Sequence, residues 1–388
     1  ITRASTATYF DSAGVLQSAA VDAPRLDYNP STLAAQGLLI EESRTNSIRN
    51  NTMVGAVAGT PGTLPTNWTL STTGATTTQV VGTGTENGIT YIDYRVQGTG
   101  AADTWNVIYD SSAVAANGQA WTGTVYLKLA AGSAANLSFV QRIVFRDSGF
   151  ANIQALDSSA IAPTTANLRT QRNTLSLTAT QAATAFVTYQ LNSGTPTGAY
   201  DITIRIGLPQ LELGAFATSV IPTTTTALTR AADVASVNTL SPWYNATTGT
   251  IYAEFALTQP ASGGNQFLAR FSDNSYNNSI ADNVTAGGFA QIATASGGVF
   301  DGTAGAAIGV SANTVAKFAG AYAANDLAAC LNAGTVATDS TATIPSGMTR
   351  FDLGSDHAGA NRVKAGYLRR ITYYPTRLTN AQLQAITA

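Results

Sequence analysis

Aromatic rings and planar amides are the groups in this sequence with the most chemistry to offer. Four tryptophans occur: Trp68 in PTNWTL, Trp105 in ADTWNVI, Trp121 in GQAWTGTV and Trp243 in SPWYNATTG. A sugar ring is held by an exposed aromatic face, with planar polar side chains nearby to satisfy its hydroxyls. Trp68 and Trp121 open strand-like runs and are expected in the core. Trp105 follows Gly/Ala-rich sequence with Asp103 and Asn106 beside it, while Trp243-Tyr244-Asn245 lies in a turn-rich approach to a strand. Trp105, Asn106, Trp243 and Tyr244 are therefore the candidate glycan contacts.

A second cluster is FSDNSYNNSIADN (271–283), expected as a loop, whose oxygen-bearing side chains include Asp273, Asn274 and Asp282. Hard cations such as calcium take ligands of this kind, although the stretch lacks the glycine and terminal Glu of an EF-hand. Solvated turn chemistry accounts for the same residues, since Asn and Asp tolerate tight turns. These three are the candidate metal ligands.

Catalytic machinery is harder to assemble. A nucleophile-activating triad needs an imidazole, and the sole histidine is His357 in GSDHAGANR, read as a loop residue beside Asp356. There is no Gly-x-Ser-x-Gly elbow, and no glycine pattern of the nucleotide-binding kind. Glycoside hydrolysis uses two carboxyl groups about 5–10 Å apart. Glu41 and Glu42 are adjacent and would face opposite sides of a strand, and Glu212 and Glu254 fall in separate regions. No acidic pair recurs at i, i+2, so the chain is expected to be non-enzymatic. Cys330 in LAACLN reads as a buried strand thiol.

The elements that must position these groups are strands. Only 11% of the 388 residues are charged, against about 25% in an average globular chain, and Thr, Ser, Asn, Ala and Gly fill most positions. A net charge of −2 with Arg scattered singly offers no footprint for nucleic acid. No run approaches the roughly 20 apolar residues that span a bilayer, so no membrane insertion is expected. The chain opens on Ile1 rather than Met, which reads as a piece of something longer.

Apolar and polar residues alternate in ITYIDYRV (89–96), TGTVYLKL (122–129), NLSFVQRIVF (136–145), TAFVTYQL (184–191) and AYDITIRIGL (199–208). In the last, Tyr200, Ile202, Ile204, Ile206 and Leu208 are expected on one face. These strands make one antiparallel sandwich over 47–222, because each has an apolar face needing cover. The Thr-rich VIPTTTTALTR (220–230) separates it from a second sandwich over 223–388. That one is built from TIYAEFAL, NQFLARFS, FAQIATA, VAKFAGAYA, LAACLNAG and YLRRITYY. Residues 1–46 form a hairpin with an Asp-Ser-Ala-Gly turn and an extended arm packed on a neighbouring surface. TRAST (2–6) and TRAAD (229–233) share three letters, which is coincidence or a shared junction device. The one helix expected is terminal: Thr379 and Gln382 form a capping box and Leu378 staples Leu383. The expected fold class is all-β, two tandem antiparallel sandwiches.

The opening block RASTATYFDSAGVLQSAAVDAPRLDYNPSTLAAQGLLIEESRTN resembles a module of bacteriophage head-spike and tail-fibre proteins, also found in gene-transfer particles. PTNW and the later GLPQLELGAFATSVIPTTTTALTRAADVASV resemble the jelly-roll carbohydrate-binding-like domain that follows it. TGTIYAEFAL, FDLGSD and GYLRRITYYPTRLTNAQLQAI resemble a laminin-G/concanavalin-like sandwich. The resemblance implies a virion-surface, extracellular adhesin that binds a host cell-surface polysaccharide as a homo-oligomer, a trimer, alongside other virion proteins. Laminin-G-like relatives carry calcium at the sandwich rim, but those ligands match no positions here. The alternatives are a purely structural spike or capsid-decoration protein and, behind them, a depolymerase. No family catalytic residues match positions in this sequence.

Overall fold

The computed structural model describes residues 1–110, 112–359 and 361–388. Among them are 28 strands and one α-helix, Asn380–Ile386, so the protein is almost entirely β, as the composition and alternation require.

Two antiparallel sheets enclose the first core. One has the order Asn152–Asp157, Val140–Arg146, Phe186–Asn192, Trp105–Ile108, Thr69–Thr72, with Ala113–Val114 also pairing the Phe186 strand. The other has the order Arg172–Thr178, Ala120–Gly132, Tyr200–Leu213, Ile89–Gly98, Thr77–Glu86. Between them lie Trp68, Trp105, Trp121, Tyr94, Tyr109, Tyr189, Phe139 and the row Ile202, Ile204 and Ile206. Leu208 departs from the expected face. The pairing of Ala120–Gly132 with Tyr200–Leu213 shifts register between Thr124 and Tyr126, opposite Gly207–Gln210, and Leu208 takes φ +40°. A bulge turns the following side chain over. Leu208 thus joins a separate apolar cluster with Phe10, Ile89, Tyr126, Leu168 and Val220.

The second core lies between a seven-stranded and a six-stranded sheet. The larger runs Ala337–Asp339, Asp326–Leu331, Ala316–Ala323, Thr248–Leu257, Ala365–Tyr374, Ala35–Glu41, Leu26–Tyr28. Its last two strands come from the first 46 residues, so the N-terminal arm completes a sheet belonging to the far end of the chain. The smaller sheet contains Ser279–Val284 and Val299–Gly309. The loop expected over 271–283 is therefore corrected. Phe271 and Ser272 end the strand Gln266–Ser272, only 273–278 turn, and Ser279–Val284 is a buried strand paired on both sides. Periodicity could not find it, because both of its faces are covered and its polar residues do not mark a solvent side.

The terminal helix carries the expected capping box of Thr379 and Gln382, and its Leu383 is buried on the larger sheet against Tyr252, Ala319, Ala328 and Cys330. The segments TRAST and TRAAD meet: Thr2 pairs with Val234, Ser5 accepts a hydrogen bond from the Ala231 N–H, and Arg3 Nη1 donates to Asp233 at 3.0 Å.

Candidate functional site

The sheet containing Val140–Arg146, Phe186–Asn192 and Trp105–Ile108 has one face in the core and one turned away. Period-two alternation sends Trp105, Val107, Tyr189, Leu191, Ile143 and Phe145 inward. The alternate residues form cross-strand rows on the outer face. One row is Ser71, Asn106, Asn192 and Val140; the next is Thr69, Ile108, Gln190, Arg142 and Asp157.

Hydrogen bonds link these side chains, in two pairs between neighbouring strands. Asn106 Nδ2 donates to Gln190 Oε1 at 2.9 Å, and Gln190 Nε2 donates to Thr188 Oγ1 at 3.2 Å. Arg142 grips Asp157 through Nε and Nη2 at 2.5 and 2.6 Å, which pushes its guanidinium pKa further up. Two buried atoms find no partner: Asn106 Oδ1 and Asn192 Nδ2. Such a group costs about 1–3 kcal/mol unless something satisfies it. Asn106, Asn192, Arg142 and Asp157, with Ser138 and Ser193, line a cavity of about 480 Å³.

The loop that delivers this strand is tightly built. The Asp103 carboxylate accepts from the backbone N–H groups of Thr99, Ala75 and Gly100 and from the Thr99 hydroxyl, which hold its pKa down to about 2. Ser193 braces Trp105, its Oγ accepting from Trp105 N at 3.3 Å and its N–H donating to Trp105 O at 3.1 Å.

At the other end of the same face, about 20 Å along the strand by its rise per residue, Phe186 lies across from Arg146 and Val114. Phe150 stacks on Phe186, with centroids 4.5 Å apart and planes 10° from parallel. Phe150 is 54% exposed and sits at φ +64° in the hairpin turn, where Asp147 Oδ1 accepts from the N–H groups of Gly149 and Ala151. This is the exposed aromatic surface of the first sandwich. Sequence reasoning missed it by weighing tryptophans alone. The available signals were the Phe in an Asp-Ser-Gly-Phe turn and the even-numbered phase shared by Phe186 and Gln190.

The residues expected to touch a ligand are scattered. Trp105 is 1% exposed and packs against Tyr94 and Phe139, so it cannot stack a sugar; that expectation is corrected. Its indole points inward because the strand alternates, and the same alternation presents Asn106 outward. Trp243 and Tyr244 belong to the second sandwich. Trp243 is half-buried, engaged by Phe271, Phe351 and Tyr373, and its Nε1 donates to Thr239 O at 3.0 Å. Tyr244 packs on Phe271 at 4.5 Å, and burial pushes its hydroxyl up to about 12. Both close the end of a core and form no platform shared with Asn106. Trp68 and Trp121 are buried in the first core.

The three candidate metal ligands do not converge. Asp273 caps its own hairpin turn, Oδ1 accepting from Ser275 and Oδ2 from Asn278 Nδ2 at 2.8 Å. Asn274 is exposed in that turn at φ +65°. Asp282 is fully buried in the second core, where burial raises its pKa well above the usual carboxylate range. It faces Gly320 of the opposite sheet, where a Cβ would lie 2.0 Å from its Oδ1. The set does not fit calcium, and among the described residues no group of three or more His, Cys, Asp or Glu is placed to hold a metal ion. His357 lies against Arg270, Nδ1 to Nη1 3.2 Å, and edge-on to Tyr276.

No protein-family model matches the sequence, and no curated protein matches it. Solved structures with a similar fold include the CBM40 of a Ruminococcus gnavus IT-sialidase, at 16% identity and TM-score 0.32 over 37% of this chain and 84% of that one. The enzymatically active domain of bacteriophage CBA120 tailspike protein 4 is similar at 17% identity and TM-score 0.30, over 44% of this chain and 21% of that one. The tandem CBM22 domains of Paenibacillus barcinonensis Xyn10C are similar at 10% identity and TM-score 0.27, over 86% of this chain and 99% of that one. At scores this low they are neighbours only.

Proposed function

We propose that this protein is a non-enzymatic adhesin that binds a surface polysaccharide along the outer face of the first sandwich. The observation that carries the reading is the face itself. A row of planar amides with unused hydrogen-bonding atoms lies on the same strands as an exposed stacked phenylalanine pair. Sugar rings present this combination in reverse, hydroxyls at the edges and C–H groups on the faces.

The carboxylate in these rows, Asp157, is held in a bidentate bond by Arg142, which favours grip over bond cleavage. Neutral amides bind uncharged hydroxyls without adhering to every anionic surface. The resemblance of the opening block to phage fibre modules supports display on a virion spike as a trimer. Many copies on one particle would turn weak single sites into firm attachment.

The test is binding of the full chain to a broad glycan array and to candidate host cells, beside Asn106→Ala, Asn192→Ala and Phe150→Ala. Loss of binding in these variants with unchanged melting supports the reading. An unaffected signal in all three removes the face from it, and released oligosaccharide from incubated capsule overturns the non-enzymatic assignment.

A further inference from the structure

Every Arg and Lys side chain among the described residues has a hydrogen bond or an ion pair, with one exception. Arg146 has neither, and its Nε is closed off from solvent without a partner. The contrast with Arg142 is local. Arg142 stands four residues earlier on the same strand and face, and Asp157 neutralises it at 2.5 Å. Arg146 instead pairs across the strand with Phe186, whose ring carries the stacked and exposed Phe150. A half-buried guanidinium with no counter-charge is electrostatically costly, and its planar fork suits anionic oxygens.

We infer that Arg146, Phe150 and Phe186 form a subsite for a sugar residue bearing an anionic substituent, a carboxylate or a sulfate. This rests on the reading of the outer face as a glycan-binding surface. The ring lies on Phe150, which the left-handed turn holds flat over Phe186, and the anionic group meets the guanidinium beside it. The amide rows toward Asn106 take the neutral part of the same chain. Strand geometry sets about 20 Å between the two ends, so the ligand is an extended oligosaccharide and not a single residue. The two arginines of the strand therefore divide the labour: one is cancelled by its own carboxylate and one is left for the ligand.

The experiment titrates the full chain with three probes: galacturonate oligomers, the same oligomers after carboxyl reduction, and sulfated galactan oligomers. At least one charged probe is expected to bind tenfold or more tightly than the reduced one, with the advantage shrinking as salt rises from low ionic strength to 0.5 M. Comparison of the uronate and sulfate arms identifies the anion. Arg146→Gln should erase the difference between charged and neutral probes, and Arg146→Lys should retain part of it. Melting curves confirm that both variants fold. Equal binding of charged and reduced probes, or a preference that survives Arg146→Gln, overturns the subsite. If neutral glycans on an array bind while no charged probe does better, the subsite fails and the glycan-binding face stands. If no glycan binds at all, both fall.

Discussion

Two polar regions of this molecule are built on opposite principles. Where the N-terminal arm, the 214–236 segment and both sandwiches meet, the polar groups are charged, buried and ion-paired, with the Nε atoms of Arg25 and Arg230 left without a partner. Glu41 receives Arg25 at 2.7 Å and Arg230 at 2.9 Å, while Asp233 receives Arg3 at 3.0 Å and Arg25 at 2.5 Å. Ser219 donates to Glu41 from both its N–H and its hydroxyl, and the Glu41 N–H donates to Asp233. On the outer face of the first sandwich the groups are mostly neutral amides, and some of their atoms have no partner. Stripping a buried ion of its partner costs about 3–5 kcal/mol, whereas an unpartnered amide atom costs about 1–3 kcal/mol, an amount that a ligand's hydrogen bond can offset. The junction holds the fold together; the face is the surface proposed to bind glycan.

The sharpest way to break this contrast is to remove one ion from the junction. Asp233→Ala leaves Arg3 and Arg25 buried without their shared carboxylate and should cost about 3–5 kcal/mol in urea unfolding. A loss under 1 kcal/mol would show that the network carries no architecture. Acid tests the same point without mutation. Arg230 and Arg25, with Ser219, outweigh the upward push of burial and hold Glu41 at about 2, below its ordinary 4.5. The folded-state value is depressed, so the contribution is fully present above pH 4.5. It drains away as pH falls toward 2, worth roughly 3 kcal/mol across that window. Asp27, raised by burial, works in the opposite sense. A melting temperature that stays flat from pH 5 to pH 2.5 would contradict the assignment.

Smaller effects belong to the face. The double variant Asn106→Ala/Asn192→Ala should shift stability by no more than about 1 kcal/mol, because the atoms removed are partly unsatisfied. Glycan affinity should fall tenfold or more by calorimetry. Large destabilisation with intact binding would move these residues from the ligand's account to the fold's. Smallest in stability is Phe150→Gly. It removes the stacked ring and also relieves a left-handed backbone that only glycine adopts freely. Melting should change by a degree or two while binding weakens; unchanged binding would detach the aromatic pair from the site.

Much of the fold was legible because one physical signal, alternation, reports which face of a strand is covered. It found strands such as Ile89–Gly98 and Tyr200–Leu213 in the first core and Thr248–Leu257 and Ala316–Ala323 in the second, and the capping box marked the one helix. It failed where the signal itself fails. Leu208 keeps the phase of Ile206 in sequence, but a bulge rotates it to the other face. Ser279–Val284 is covered on both faces and reads as a polar loop. At the site, alternation would have separated Trp105 from Asn106, had strand phase outweighed the habit of taking a tryptophan as the sugar platform. Of the four residues first singled out for glycan contact, the structure leaves Asn106 on the candidate face.

Composition and periodicity by themselves determined an all-β protein, its low surface charge and many of the longer strands of both sandwiches. These follow from local chemistry, the side-chain period of a pleated strand and the few charges available. Tertiary structure alone decided that TRAST and TRAAD meet at a buried ionic junction, that Asp282 faces Gly320, and that Phe150 stacks on Phe186 beside an unpaired Arg146. Each depends on residues brought together across sheets, strands or turns. No local pattern encodes such a contact, because its energy exists only once the chain has closed around it.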